Sequence, residues 1–264
     1  MKKSARIAAV LLCVLLAVSV FSACSPMRRV EEAVQNTAEL ESFHAMLMMN
    51  IELEMLGVKI PLEMRSDIKA QDVDGTAHFT STTTVEGMGV EESLLLAGDG
   101  EWFYYTSNGE ALKARAENVT DRGQYAQIEE MLQDLPEDVY KDATVTKREN
   151  GERQVQISLD DEVFEQTRTF EGLLEEIKSA VGTQGSDTKE LWIGTVDLSL
   201  LLSEEYLLEY ALDFGLGMVM TIEGEDVEVT ASVRLCLSFV DPGEPVSVTL
   251  PYGYEHFTEV SELP

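Results

Sequence analysis

Side chains that could perform acid–base or metal chemistry are scattered along this chain. Histidine occurs at positions 44, 78 and 256, and the sequence contains no HExxH, GxSxG, P-loop or GxGxxG motif. His44 and His78 fall on the polar side of alternating segments, which is typical of exposed imidazoles. The sequence therefore predicts a protein that is not an enzyme and that uses no metal or cofactor.

The chain is strongly acidic, with 19 Lys+Arg against 49 Asp+Glu and a formal net charge of -30. A nucleic acid would be repelled, because affinity for its phosphates comes from basic side chains. We therefore expect no nucleic-acid partner. Acidic groups such as those at 223–228 are most simply solvated turns and strand edges; a calcium site is the alternative, but no loop has the ligand spacing of an EF-hand.

The first 23 residues have the three-part layout of a secretory signal. Three basic residues lie among the first six, an apolar run follows over 7–21, and the small pair Ser22-Ala23 ends the segment. The apolar run is shorter than the ~20 residues that a membrane-spanning helix needs. We expect residues 1–23 to be a signal peptide and residues 24–264 to form a single exported domain.

The segment Phe21-Ser22-Ala23-Cys24 resembles the bacterial lipobox. In that family of signals a peptidase cuts before the cysteine, whose sulfur carries a diacylglycerol. The resemblance implies lipidation of Cys24 and a location on the extracytoplasmic face of the cell membrane, since two acyl chains make a stable anchor. The alternative is an ordinary signal peptide with a chance cysteine at the cut. Cys236 is expected to be a spectator thiol.

The mature chain is dominated by alternation of apolar and polar residues. The alternation covers 43–55 and 58–64, with Gly57 at the turn between them, and returns over 206–222 and 227–239. Alternation with period two predicts strands with one buried face. These strands are longer than the ~5–6 residues that are common, so the sequence predicts an α+β protein built on a large curved antiparallel sheet. Amphipathic stretches at 124–135 and 160–182 predict helices on its concave face.

This layout resembles the lipoprotein-carrier superfamily, with its LolA/LolB-like and LppX/LprG-like members and the half-barrel lipoproteins of Gram-positive bacteria. The resemblance rests on Cys24, on the methionine-rich strand ESFHAMLMMNIELEM, on the hairpin GDGEWFYYTSNGEALKA and on the late segment LWIGTVDLSLLLSEEYLLEYALDF. It implies an unclosed half-barrel with helices over the concave side. In several members of that family, acyl chains occupy the space between.

Apolar side chains carry the predicted binding site. Methionine adapts to irregular partners, and along these strands it shares a face with leucine, isoleucine and aromatic residues. We expect this face to line a cavity for acyl chains, while an ordinary packed core is the alternative that the pattern leaves open. The candidate lining residues are Leu47, Met49, Ile51, Ile60, Leu62, Met64, Leu208, Tyr210, Met218, Met220, Val233 and Leu235.

The predicted function is that of a membrane-anchored lipoprotein that binds an apolar ligand, the acyl chains of a lipid, between sheet and helices. The membrane is the expected partner, through the diacylglyceryl group on Cys24. The alternative is an envelope interaction or sensor module with a fully packed core. It is suggested by Trp102-Phe103-Tyr104-Tyr105, because adjacent strand residues point to opposite faces and surface aromatics mark interfaces.

Overall fold

The structure, a computed structural model, describes residues 26–74, 76–87, 89–116, 143–159, 187–222, 225–261 and 263. One helix, α1 (Pro26–Ala38), precedes the strands. The strands are β1 (Ser42–Met55), β2 (Val58–Val73), β3 (Thr76–Gly87), β4 (Val90–Gly98), β5 (Trp102–Ser107), β6 (Glu110–Arg115), β7 (Thr144–Lys147), β8 (Arg153–Leu159), β9 (Asp187–Leu202), β10 (Leu207–Ile222), β11 (Glu225–Val240) and β12 (Thr258–Glu259).

All twelve strands belong to one sheet, in the order β12-β6-β5-β4-β3-β2-β1-β11-β10-β9-β8-β7. Neighbours are antiparallel except for β12, which pairs in parallel with β6. The chain therefore makes two meanders, β1 to β6 and β7 to β11, and the pairing of β1 with β11 joins them. Within the described residues β7 and β12 form the two edges of this order, so the sheet is not closed. The predicted large antiparallel sheet is confirmed.

Alternation gives the sheet one apolar and one polar face. We call the side that carries the odd-numbered residues of β1 the apolar face and the opposite side the polar face. The hydrophobic core lies on the apolar face over β8 to β11, where Val196, Leu198 and Leu200 are at most 1% exposed. The strands of this region are long because each contributes a continuous row of apolar side chains to that core.

Helix α1 packs on one end of the apolar face. Val30, Ala33 and Val34 join the core, and the hydroxyl of Thr37 fixes the contact by accepting a hydrogen bond from the Leu207 amide at 2.9 Å. The predicted helices at 124–135 and 160–182 lie outside the described residues, as does Cys24. In the part of the chain that is described, no helix combines the length and the apolar character needed to cross a bilayer.

A C-terminal segment, residues 241–260, runs along the end of the sheet where β1 begins, and we call it the C-terminal strap. The Val246 amide donates a hydrogen bond to the Ser42 hydroxyl at 3.0 Å, and the Val248 amide donates one to the Gln71 side chain at 3.4 Å. Further along, Thr258 pairs with Leu112 at the edge of the sheet. The strap therefore connects the central strands to the far edge.

The turn between β1 and β2 has two residues, and both adopt positive φ. Leu56 has φ 54° and Gly57 has φ 77°, the combination of a type I′ turn, whose twist matches that of the strands it joins. The hairpin predicted at Gly57 is confirmed. Leu56 is an unusual occupant, since it is 77% exposed and a side chain with a Cβ is disfavoured in the left-handed region.

We predict that Leu56→Asn stabilises the protein. Asparagine is favoured at this position of a type I′ turn, and relief of the left-handed penalty of ~1–2 kcal/mol should raise the free energy of unfolding by about 1 kcal/mol. Urea denaturation measures the change. Leu56→Ala is the matched control, because it removes the exposed side chain and keeps the strain. An equal gain from both variants would show that the backbone is not the cause.

Candidate functional site

The apolar face differs between the two halves of the sheet. Over β8 to β11 it is a closed core, whereas over β2 to β4 its side chains remain partly accessible. Val85, for example, is 39% exposed. The register of β2, β3 and β4 places these side chains on one face, with Met64 opposite Val85, and with Ser81, Thr83 and Glu92 as polar neighbours on the same face. We call this surface the half-buried apolar patch; it consists of Ile60, Leu62, Met64, Val85, Leu94 and Leu96.

The structure brings most of the predicted cavity residues together on the apolar face. Met49 pairs with Met64 on one side and with Leu235 on the other, and Ile51 pairs with Val233. Ile60 and Leu62 lie on the same face of β2 as Met64, and Leu47 pairs with Leu237. The alternation in the sequence therefore identified a real common surface across β2, β1 and β11.

These candidates fall into three groups by burial. Tyr210 and Met218 are 4% and 7% exposed and belong to the closed core, where burial raises the pKa of the Tyr210 hydroxyl. A second group is partly buried and packs against that core: Leu47, Ile51, Val233 and Leu235. A third group is half-buried: Met49, Ile60, Leu62 and Met64. The third group lies in or beside the half-buried apolar patch.

Two candidates need separate mention. A register shift lies between Leu207 and Glu209, so strict alternation fails at the start of β10. Leu207, which the sequence did not single out, enters the core at 2% exposure, while Leu208 is half-buried. Met220 holds the register position opposite Val227, and its side chain lies outside what the structure describes.

A pair of hydroxyl groups lies on the apolar face and was missed in the sequence. Ser66 follows Met64 with period two and is 6% exposed. Its oxygen lies 2.8 Å from the hydroxyl oxygen of Thr83, directly across from it on β3. The pair satisfies itself, which allows burial at small energetic cost, and it places polar groups beside the half-buried apolar patch. The serine in the apolar register of β2 was the signal.

Two glycines shape the same face. A Cβ on Gly87 would lie 2.3 Å from Leu62, and a Cβ on Gly98 would lie 2.5 Å from the ring of Phe79. Leu62 and Phe79 therefore lie directly over the backbone of neighbouring strands, and the Phe79 ring contacts Phe103 with centroids 5.6 Å apart. Because glycine has no side chain, Leu62 and Phe79 can occupy the space above Gly87 and Gly98.

A depression of about 470 Å³ lies around the junction of β11, β1, β2 and β3. Its lining includes Asn50, Glu52, Glu63 and Arg234, which project from the polar face, together with the predicted cavity residues Ile51 and Leu62. Lys59 and Arg65 bond to Glu52 and Glu63. This depression is charged and open, so it does not correspond to the predicted acyl-chain cavity, which the described residues do not outline.

The aromatic hairpin is packed on both faces of the sheet. Tyr104, on the polar face, is 3% exposed because the C-terminal strap covers it, with the rings of Tyr254 and Phe257 at 5.3 and 5.9 Å. Phe103 faces the other way, towards Phe79. Trp102, Phe103 and Tyr105 are half-buried, and the Arg115 guanidinium lies 4.5 Å from the Trp102 ring.

Asp99 holds this hairpin in place. Its carboxylate accepts hydrogen bonds from the Tyr104 hydroxyl at 2.7 Å, the Trp102 amide at 2.8 Å and the Glu101 amide at 3.0 Å. Burial alone would raise the pKa of Asp99, but these three bonds favour the charged form and lower the pKa below its usual value. The same contact raises the pKa of Tyr104, after the larger effect of its burial.

No family model and no curated protein matches the chain. Among solved structures, LprF from Mycobacterium bovis is similar with 13% identity and a TM-score of 0.43, over 86% of this chain and 97% of that chain. A protein described as AttH from Nitrosomonas europaea is similar with 10% identity and a TM-score of 0.22, over 77% of this chain and 52% of that chain. These TM-scores are too low to support an argument about the fold, so the description of the fold rests on the strand pairing of this chain alone.

We predict that Asp99→Asn destabilises the protein at pH 7 by about 1 kcal/mol, because three hydrogen bonds lose their charged acceptor. A carboxyl group with a lowered pKa contributes stability above its unfolded pKa of about 4. That contribution is lost as the pH falls through the still lower folded pKa. Urea denaturation of both proteins at pH 7 and pH 3 measures it. The gap between them should be smaller at pH 3 than at pH 7; a gap of equal size at both values would contradict the prediction.

Proposed function

We propose that the protein is a lipoprotein, anchored through Cys24 to the extracytoplasmic face of the cell membrane, that binds the acyl chains of a lipid against the apolar face of a half-barrel sheet. The half-buried apolar patch is the observation that carries this proposal. It lies in a chain with a net charge of -30, where exposed apolar surface is otherwise unfavourable. Contiguous apolar surface on a soluble protein marks binding sites.

The driving force is burial of apolar area on both partners. Removal of apolar surface from water is worth roughly 25 cal/mol per Å², and each CH₂ group of an acyl chain contributes about 0.8 kcal/mol. The half-buried side chains Met49 and Met64, which are directly opposite each other, are flexible enough to follow a bent chain. The binding mechanism needs no catalytic group, in agreement with the sequence.

Selectivity comes from the few polar groups beside the apolar patch. The Ser66–Thr83 hydroxyl pair lies on the same face, one register position beyond Met64. Binding sites for small molecules are mostly apolar with a small number of placed polar groups. In the proposed complex an acyl chain lies along Met64 and Leu62. The Ser66–Thr83 hydroxyl pair contacts the ester or carboxyl end of the ligand.

The anchor supports transfer between membrane and protein. Helix α1 begins at Pro26, two residues after Cys24, and two residues span at most about 7 Å. Because α1 packs on the apolar face, the proposed lipid anchor would hold this end of the sheet near the bilayer. An acyl chain would then leave the membrane and reach the apolar face over a short path.

Native mass spectrometry of residues 25–264, produced in a bacterial host and followed by organic extraction, tests the proposal. We expect a bound mass in the range of lipids that extraction removes. An unliganded mass that stays unchanged after incubation with vesicles of bacterial phospholipid would refute ligand binding and would favour the packed interaction module.

We predict that Met64→Lys abolishes lipid loading, because an ammonium group on the apolar face would be buried with the acyl chain. Thr82→Lys is the matched control, since Thr82 is exposed on β3 and faces the polar side. Loading is measured by the same mass spectrometry and the fold by circular dichroism. Retained loading in Met64→Lys, or equal losses in both variants, would count against the half-buried apolar patch as the site.

A further inference from the structure

Two methionines of β1 lie on the polar face. Met46 is 49% exposed and Met48 is 39% exposed, and they occupy alternate positions of the strand. Their neighbours on the same face of β2 are Asp67 and Arg65. Both side chains therefore keep a large part of their apolar surface, including the sulfur end of an unbranched chain, among charged groups rather than in the core.

The thiol of Cys236 lies beside these methionines. Cys236 on β11 is directly opposite Met48, and Ser238 is directly opposite Met46. Opposed residues have Cβ atoms about 4.5–5.5 Å apart, and a residue on the diagonal is about 7–8 Å away. The strand pairing therefore places the side chains of Met46, Met48 and Cys236 next to one another on the polar face, and the three rotatable bonds of methionine let each thioether turn towards the thiol.

We propose that Met46, Met48 and Cys236 form a binding site for Cu(I). Thioether and thiolate sulfur are the ligands that select Cu(I), whereas carboxylate and carbonyl oxygen suit harder ions. Binding replaces the thiol proton: the S–H bond of Cys236 breaks, an S–Cu bond forms, and the proton passes to water with no change of oxidation state. The two thioethers complete the coordination as neutral donors.

The surroundings agree with a soft cation and disfavour a harder one. Within the described residues no three His, Cys, Asp or Glu side chains are placed to hold a metal ion, and His44 is already bonded to Asp67 at 2.9 Å. Cys236 has only a weak contact with the Ser238 hydroxyl, at 3.6 Å. Glu209 is directly opposite Ser238 on β10. Arg65, opposite Met48, and Arg234, two residues before Cys236, are paired with Glu63 and Asp213, so Glu209 adds negative charge that favours the approach of a cation.

This site is independent of the proposed lipid site, because it lies on the other face of β1. Met48 and Met49 are adjacent in sequence, yet Met48 faces Cys236 and Met49 faces Leu235. Loss of lipid binding would leave the copper site intact, and the reverse holds as well.

Competition with a chromophoric Cu(I) chelator, under anaerobic and reducing conditions, tests the proposal. The full chain is purified in detergent from a bacterial host as wild type, Cys236→Ser and the double variant Met46→Leu with Met48→Leu. Met55→Leu, on the apolar face of the same strand, is the matched control. The other two cysteines of the sequence, Cys13 and Cys24, are unchanged in all four proteins. A difference in Cu(I) affinity therefore reports on the substituted residues.

Loss of an outer-shell partner of a metal typically weakens affinity about 10–100-fold, and loss of a direct ligand should weaken it at least as much. We therefore expect Cys236→Ser to weaken Cu(I) binding by roughly 100-fold or more and the double methionine variant by roughly 10-fold or more. Met55→Leu should bind Cu(I) as wild type does. Thermal unfolding without copper should be nearly equal in the methionine variants, because Leu and Met have similar volumes.

Two results would overturn the site. Equal Cu(I) affinity in wild type and Cys236→Ser would exclude the thiol as a ligand. An unchanged affinity in the double methionine variant would exclude the thioethers.

Discussion

The pairing of β1 with β11 is the interaction on which the rest of the structure depends. It runs from His44 opposite Val240 to Met55 opposite Val229 and joins two meanders that are otherwise built from local hairpins. The pairing brings together residues almost at opposite ends of the described chain, so its loop-closure entropy must be offset by contacts along the whole strand. Two long rows of alternating apolar residues provide those contacts.

Because β1 pairs with β11, one apolar face extends across both meanders. This face has two different environments. On the β11 side the face meets β10, β9 and β8 and is closed, with Leu198 and Leu200 almost fully buried. On the β2 side it continues into β3 and β4, where leucine and methionine remain partly accessible. The closed half therefore provides the buried contacts that stabilise the fold, whereas the half-buried apolar patch is the half to which we assign the proposed lipid binding.

Both chain ends reinforce the end of the sheet where β1 begins. Helix α1 contributes Val30 and the Thr37 bond to Leu207, while the C-terminal strap binds Ser42 and covers Tyr104. At the opposite end, the described residues include the Leu56–Gly57 turn, beside which Lys59 pairs with Glu52 and Glu54. Strain is tolerated in Leu56 because the long ladders on either side fix the register regardless of which residue occupies the turn.

The sequence predicted what depends on local periodicity and failed where geometry is not local. Alternation correctly predicted the long strands and the side of β1 on which Met48 and Met49 each lie. It could not identify β11 as the partner of β1, since many strands share that pattern. It misjudged the start of β10, because a bulge at Leu207 inverts the alternation. The C-terminal strap could not be predicted from the sequence, because a two-residue strand is too short to show alternation and its contacts are with residues far away in the sequence.

The period of two has a further effect on how this protein can evolve. Along β1, each step of one residue changes the side of the sheet, so a mutation at Met48 meets Cys236 and Arg65 while a mutation at Met49 meets Leu235 and Met64. The two faces share a backbone but no side-chain environment. Selection can therefore alter the chemistry of the polar face without disturbing the apolar one, provided that the strand keeps its register. Both faces depend on the backbone pairing between β1 and β11, because a change in its register would move the side chains of both faces together.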